Sequence, residues 1–316
     1  MRYRGPLIIV LLLVLLVGSS LIAATIGPTH VHISNFLQDA TAYQIIMDIR
    51  LPRVIAAALV GAALATAGTA MQALFKNPMA DPYIIGTSAG GSLGAVVSII
   101  FLAGVGLPIF AFGGAVGASF LVYAITRRGG KVPVATLLLT GVALSMFLSA
   151  MLSFLMYIGG KSLHQIVFWL MGGFWTVSWD QVYISLLIPV GCIVIWLFAR
   201  DINIISLGDE DAIHLGVNVE NLKIVLLCAS SILAGIAVAI AGAIGFIGLI
   251  TPHLMRIIVG PDHRVLFPAA LLAGSLILLW SDTFARTCGN EMPVGIITAF
   301  LGAPFFMFLL QRRRPV

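Results

Sequence analysis

Apolar runs of about twenty residues, long enough to cross a bilayer, alternate with short polar breaks along the whole chain. The pattern predicts ten helical spans, near 7–26, 54–75, 83–103, 108–126, 134–157, 181–199, 222–245, 247–259, 266–284 and 294–311. The seventh and eighth have the least defined boundary. They join through Gly245-Phe246-Ile247-Gly248 with no hydrophilic loop, and the eighth is short. The stretch 162–180, with Trp169, Trp175 and Trp179, is too short and too glycine-broken to span. It reads as an interfacial helix, where tryptophan sits well.

The polar breaks carry a second pattern. Span two ends in the proline-broken turn Asn77 to Pro82, and span seven in a similar break over 245–253. With ten spans these breaks fall on opposite faces, as in an inverted repeat relating spans 2–5 to spans 7–10. Small residues four apart, Gly90/Gly94 and Gly113/Gly117, predict close helix packing within the chain.

Composition narrows the class. The 316 residues are 60% hydrophobic and 9% charged, against about 25% charged in a soluble domain. The expectation is an all-α polytopic membrane protein, 1–316 forming a single transmembrane domain. No GxxxxGK[ST] occurs, so a nucleotide-binding fold is not expected within it. The net charge of +5 is no nucleic-acid signal, because the bases hug span ends. Cys192, Cys228 and Cys288 are too scattered for a metal site or disulfide framework; Cys192 and Cys228 read as small apolar fillers. His30, His32, His164, His214, His253 and His263 form no HxxxH or HExxH spacing, so no metal, haem or other cofactor is expected. Arg2 and Arg4 precede an apolar run with no clear small-x-small cleavage site, which reads as a retained first span.

Charge sets the orientation. With both termini inside, Arg2, Arg4, Lys76, Arg127, Arg128, Lys131, Arg200, Lys223, Arg264, Arg312, Arg313 and Arg314 are inner bases. Arg50, Arg53, Lys161 and Arg286 are outer ones, and Arg256 stays in the membrane region. The excess inside follows the positive-inside rule and predicts cytoplasmic termini.

Several residues stand out against this apolar background. Arg50 and Arg53 share a helix face at the outer end of span two. They read either as snorkelling anchors or, because they break the charge rule, as a surface for a partner's carboxylates. Asp282 and Arg286 are spaced i,i+4 on span nine, as an intrahelical ion pair would be; Arg286 could instead join the Arg50/Arg53 surface. Between spans six and seven the loop 200–223 contains Leu207-Gly208-Asp209-Glu210-Asp211-Ala212-Ile213-His214-Leu215-Gly216-Val217. Its two glycines bracket a short helix with three acids in the first turn, which the helix dipole favours. The apolar Ala212, Ile213 and Leu215 suggest that it docks against a partner. Met146, Met151 and Met156 of span five either line a permissive passage or simply pack.

These motifs, in order, resemble one family along nearly the whole chain: the permeases of binding-protein-dependent ABC importers for iron-siderophores, haem and cobalamin. The resemblance rests on Arg50-Leu51-Pro52-Arg53, the run Gly68 to Gly86 and Trp169 to Phe174. It continues through Leu207 to Gly216, Gly242 to Leu249, Pro252-His253, Asp262-His263-Arg264 and Glu291-Met292-Pro293-Val294-Gly295. It implies a type II ABC importer permease of the prokaryotic cell membrane, working as a homodimer with its passage at the dimer interface and embedded in lipid. Two cytoplasmic ABC ATPase subunits would dock on the Leu207–Val217 helix. An extracytoplasmic substrate-binding protein would deliver the chelate, its glutamates received by Arg50, Arg53 and Arg286. The turn Asn77, Pro78, Met79, Ala80, Asp81 and Pro82 would form the inner gate. Span five and the last span would line the passage.

Two other classes compete. An ion-coupled secondary transporter of a small solute should place ionisable groups in mid-span, yet here only Arg256 and Asp282 are ambiguous. A membrane enzyme would need a clustered acid–base or metal set, which the sequence does not contain.

Overall fold

The computed structural model of the chain describes residues 4–29, 39–127, 129, 131–288 and 291–312. Arg2, Arg128, Arg313 and Arg314, counted above among the inner bases, and His30 and His32 lie outside the described residues. The described chain is built of helices: α1 (Arg4–Thr25), α2 (Ala40–Gln44), α3 (Leu51–Leu74), α4 (Thr87–Phe101), α5 (Leu107–Thr126), α6 (Val134–Ile158), α7 (Leu163–Leu170) and α8 (Trp179–Ser185), then α9 (Leu187–Leu197), α10 (Ala199–Ile205), α11 (Asp209–His214), α12 (Val219–Ala241), α13 (Ile247–Val259), α14 (His263–Thr287) and α15 (Val294–Arg312). Among the described residues, seven helices are long and apolar enough to cross a membrane, and the apolar helices Thr87–Phe101, Ile247–Val259 and Val294–Phe308 are shorter.

The centre of the molecule is α3, packed against α12, α13 and α14. In the helix that contains α3, 83% of the most apolar window is buried within the chain, against 6% for α1 and 11% for α6. Sequence explains the difference. α3 is rich in alanine and glycine, and lipid provides no hydrophobic drive between helices, so close backbone approach is what holds it. A Cβ added at Gly68 would lie 1.8 Å from the Gly248 carbonyl oxygen, and one at Gly61 would lie 2.3 Å from that of Gly274. Neither position tolerates a side chain. The expected small-residue contacts hold for Gly90 and Gly94, whose faces meet the α5 backbone at Gly114 and Phe110. They fail for Gly113 and Gly117, where an added Cβ would meet nothing within 4 Å; Gly114 makes the α5 contact instead. Spacing identified the helix but not the face.

Two helix boundaries differ from the apolar runs for reasons of backbone chemistry. α3 continues backwards through a π turn at Ile45–Arg50 to α2. Pro52 has no N–H for the carbonyl four residues back, and the helix widens just before it. The run 83–103 becomes helical only at Thr87, after Gly86 in a left-handed conformation (φ 86°), so residues 83–86 belong to the turn. The break expected over 245–253 lies earlier: Gly242 (φ 69°) ends α12 at Ala241, Phe246 (φ 70°) opens α13, and Thr251-Pro252-His253 lies inside that helix. The tryptophan stretch is the short helix α7 followed by a turn, where the Phe168 and Trp175 rings lie 4.5 Å apart. Cys192 is buried as expected, whereas Cys228 is exposed on α12.

Candidate functional site

The chemistry-bearing residues gather at the two ends of α3. Its 24 residues, at about 1.5 Å each, separate the ends by roughly 36 Å.

At one end, α1, α3 and α14 converge on arginines. Arg53 donates through Nε to both Asp282 oxygens at 2.9 and 3.0 Å, and its Nη1 lies 3.6 Å from Glu291. Arg50 donates to the carbonyls of Thr25 and Thr29. Arg286 donates to the Ala23 carbonyl and to the Thr283 hydroxyl. The expected intrahelical pair is therefore corrected. Asp282 is bonded across helices to Arg53, while Arg286 turns to α1. The three guanidinium groups do come together as the sequence suggested, but they are directed into the chain: Arg50, Arg53 and Arg286 are 3%, 4% and 2% exposed. The partly exposed Glu291 carboxylate sits at the edge of this cluster.

At the other end, α3 stops at Phe75. Lys76 is left-handed (φ 47°), and the chain turns through Asn77 to Pro82. Side chains brace the turn locally. Asn77 Oδ1 accepts from the Met79 N–H and Asp81 Oδ1 from the Tyr83 N–H. Ala80 is fully buried with Met71, Leu74, Ile85, Val122 and Leu137, which anchors the turn to α5 and α6. Burial pushes the Asp81 carboxyl up to about 6, against the opposing pull of the Tyr83 N–H.

Beside this turn lies α11. Gly216 (φ 83°) closes it on the far side, and Ala212 is fully buried, which seats the helix on α10 and α12. Leu207, Ile213 and Leu215 are instead exposed, each by more than half. The apolar residues of this segment therefore divide: Ala212 packs within the chain, and the other three face outward. Asp209 reaches Lys76 Nζ at 2.7 Å and Lys223 Nζ at 2.9 Å. Burial would raise its carboxyl, but the two ammonium groups outweigh that and hold it below the usual range.

Sequence reasoning missed two connections here. Lys223 and Glu220 are i,i+3 neighbours bonded at 3.0 Å, a legible signal, but their link to Asp209 is long-range. Arg256, left unassigned in the membrane region, donates to Gln72 Oε1 at 3.2 Å, and Gln72 donates to the Leu249 carbonyl. These bonds tie α13 to α3 beside a cavity of about 720 Å³ lined by Gln72, Lys76, Asn77, His253, Arg256 and His263. Asp262 caps α14 and accepts from Asn203; burial would raise its carboxyl, but the Arg264 N–H and the Asn203 amide hold it low.

An all-helical, lipid-suited chain with a central glycine-packed helix, an arginine cluster at one end and a braced turn beside a short acidic helix at the other has the architecture of a multi-pass membrane protein. The FecCD transport family matches residues 7–312, and the chain belongs to that family. It is similar to the cobalamin import system permease protein BtuC of Halobacterium salinarum, with 47% identity covering 86% of this chain and 75% of the relative. It is also similar to the hemin transport system permease protein HmuU of Yersinia pestis, with 41% identity covering 99% of this chain and 98% of the relative. Among solved structures, one described as an inward-facing conformation of a metal-chelate type ABC transporter superposes with a TM-score of 0.88 at 34% identity, covering 97% and 99% of the two chains. The chain is thus a permease subunit of an ABC importer rather than an enzyme. ATP hydrolysis lies in separate subunits, and the family works with ATPase and binding-protein partners.

Proposed function

We propose that this chain imports a metal chelate (an iron-siderophore, cobalamin or haem) handed over by an extracytoplasmic binding protein. The observation that carries this reading is the end-to-end similarity to a hemin permease, which leaves neither chain with a large unmatched segment. In this reading the seven long helices and three shorter apolar ones make ten spans, with spans 2–5 and 7–10 as an inverted repeat, and both termini are cytoplasmic in the inner membrane. The single permease domain works as a homodimer. The weakly buried α6, with Met146 and Phe147 exposed, supports a passage-lining face shared with a second copy.

The Lys76 end is then cytoplasmic. ATPase subunits grip the segment Leu207 to Gly216, where exposed Leu207, Ile213 and Leu215 offer apolar contact and Glu210 and Asp211 a charged rim. The turn Asn77–Pro82 serves as the inner gate. At the outer end, Arg50, Arg53 and Arg286 receive carboxylates of the binding protein. Because these arginines are enclosed, docking requires the incoming acid to displace Glu291 and the carbonyl contacts of Arg50. Specificity rests mainly with the delivery protein.

The test is reconstitution with the ATPase and binding protein in liposomes, measuring uptake of haemin, cyanocobalamin and ferrichrome. ATP-dependent uptake of one of them that requires the binding protein is expected. Uptake driven by an ion gradient without ATP would overturn the reading.

A further inference from the structure

We propose that Asp209 is the positioning residue that links the ATPase-docking helix to the inner-gate turn, so that movement of α11 is delivered to Asn77–Pro82. The inference rests on the importer reading above and deepens it by naming the transmitting contact.

The geometry converges on one carboxylate. Asp209 Oδ1 holds Lys76 Nζ at 2.7 Å, and Oδ2 holds Lys223 Nζ at 2.9 Å. Lys76 immediately precedes the turn. Lys223 lies on α12 and bonds Glu220 Oε1 at 3.0 Å, while Glu220 Oε2 accepts the Val132 N–H at 2.9 Å. One chain of polar contacts therefore joins the end of α3, α11, α12 and the segment leading into α6. An open cleft of about 550 Å³, lined by Phe75, Lys76, Pro133, Val134, Gly208 and Asp209 among others, lies between α11 and the end of α3. The Asp209–Lys76 pair crosses it.

The backbone aims these groups. Lys76 is in the left-handed region (φ 47°), which non-glycine residues seldom occupy. Asp209 follows Gly208, whose φ of 152° also suits glycine. Exposure argues that the contact serves position rather than stability. The Lys76 and Asp209 side chains are 45% and 40% exposed, and ion pairs at that exposure contribute little to folding. The Lys223 side chain, 7% exposed, fixes the other end of the link against the core. A lever needs one rigid anchor and one movable arm, and this arrangement supplies both.

The test uses the complete complex with ATPase subunits, in a Cys228→Ser/Cys288→Ser background that retains the buried Cys192. A Met79→Cys reporter in the turn is labelled with a membrane-impermeant maleimide, with and without ATP plus vanadate. The nucleotide should change the labelling rate severalfold, within the usual range of coupling between sites. Lys76→Gln, outside the docking segment, should abolish most of that change while the ATPase still co-purifies. Asp209→Asn should abolish as much of it, and the double variant should be no worse than either single one, as for two residues acting through one contact. A full nucleotide response in Asp209→Asn overturns the proposal. Loss of ATPase co-purification in Asp209→Asn also overturns it, by making Asp209 a docking contact. If the reporter background itself neither holds the ATPase nor responds to nucleotide, the importer reading fails first and the link falls with it.

Discussion

Arg53 of α3 lies on Asp282 of α14 with both side chains buried, Nε 2.9 and 3.0 Å from the two carboxylate oxygens. A pair enclosed to this degree fixes which helices meet more than it adds net stability, because lost hydration offsets the attraction. Removing one partner strands the other charge. Asp282→Ala should therefore destabilise the detergent-solubilised protein by about 3–5 kcal/mol. Arg53→Met combined with Asp282→Leu should cost far less. Thermal unfolding of the three proteins checks this, and an equal loss in single and double variants would refute it.

That pair also shows what the chain revealed in advance. Both residues stand out in the sequence, and each lies on the helix its position predicts. The partner differs, because i,i+4 spacing from Asp282 points to Arg286 and nothing local indicates α3. The same divide runs through the rest of the molecule. Apolar run lengths locate the long helices, and Pro78 and Pro82 mark the turn after α3, whereas the break expected over 245–253 lies at 242–246, with Ile247 to His253 inside α13. Which face of α5 packs, and that Asp209 would meet Lys76, depend on how distant segments meet. The enclosure of the three arginines was hidden for the same reason: charge composition cannot reveal that backbone carbonyls of Ala23 and Thr25 are waiting for them.

The contact between α3 and α13 should tolerate no added carbon at its centre. Gly68→Ala places a Cβ into the Gly248 carbonyl, so the two helices must separate, and overpacking of this kind costs about 1–3 kcal/mol. Gly113→Ala, with nothing within 4 Å, should change stability by no more than about 0.5 kcal/mol. Comparable losses in the two variants, measured by thermal aggregation in detergent, would contradict this packing.

Asp81 gives the turn Asn77–Pro82 a pH dependence. Its carboxyl is raised from 3.8 to about 6, so the folded chain favours the protonated form. The resulting penalty is absent below about 4, grows as pH rises to about 6 and stays constant above that, reaching at most about 3 kcal/mol. Stability should thus fall across that window relative to Asp81→Asn, which cannot ionise. Asp209 and Asp262 carry lowered values and slope the opposite way, so the informative quantity is the difference between the two proteins. Parallel stability curves for wild type and Asp81→Asn would show that Asp81 is not destabilised by its site.

The exposed apolar residues of the α11 segment separate docking from folding. Ile213 and Leu215 are each 61% exposed, so replacing them removes little that holds this chain together, whereas Ala212 is enclosed by it. Ile213→Asp and Leu215→Asp should leave the thermal stability of the isolated permease within about 0.5 kcal/mol. In the assembled complex, a buried unpaired carboxylate at an apolar contact should weaken ATPase binding at least tenfold, by the usual cost of about 1.4 kcal/mol or more. Ala212→Asp should do the reverse in order: it should first destabilise the permease itself, because the side chain has no room and no partner. Co-purification of the ATPase alongside thermal unfolding distinguishes the three variants. Unchanged ATPase binding in both Ile213→Asp and Leu215→Asp would move the docking surface away from α11.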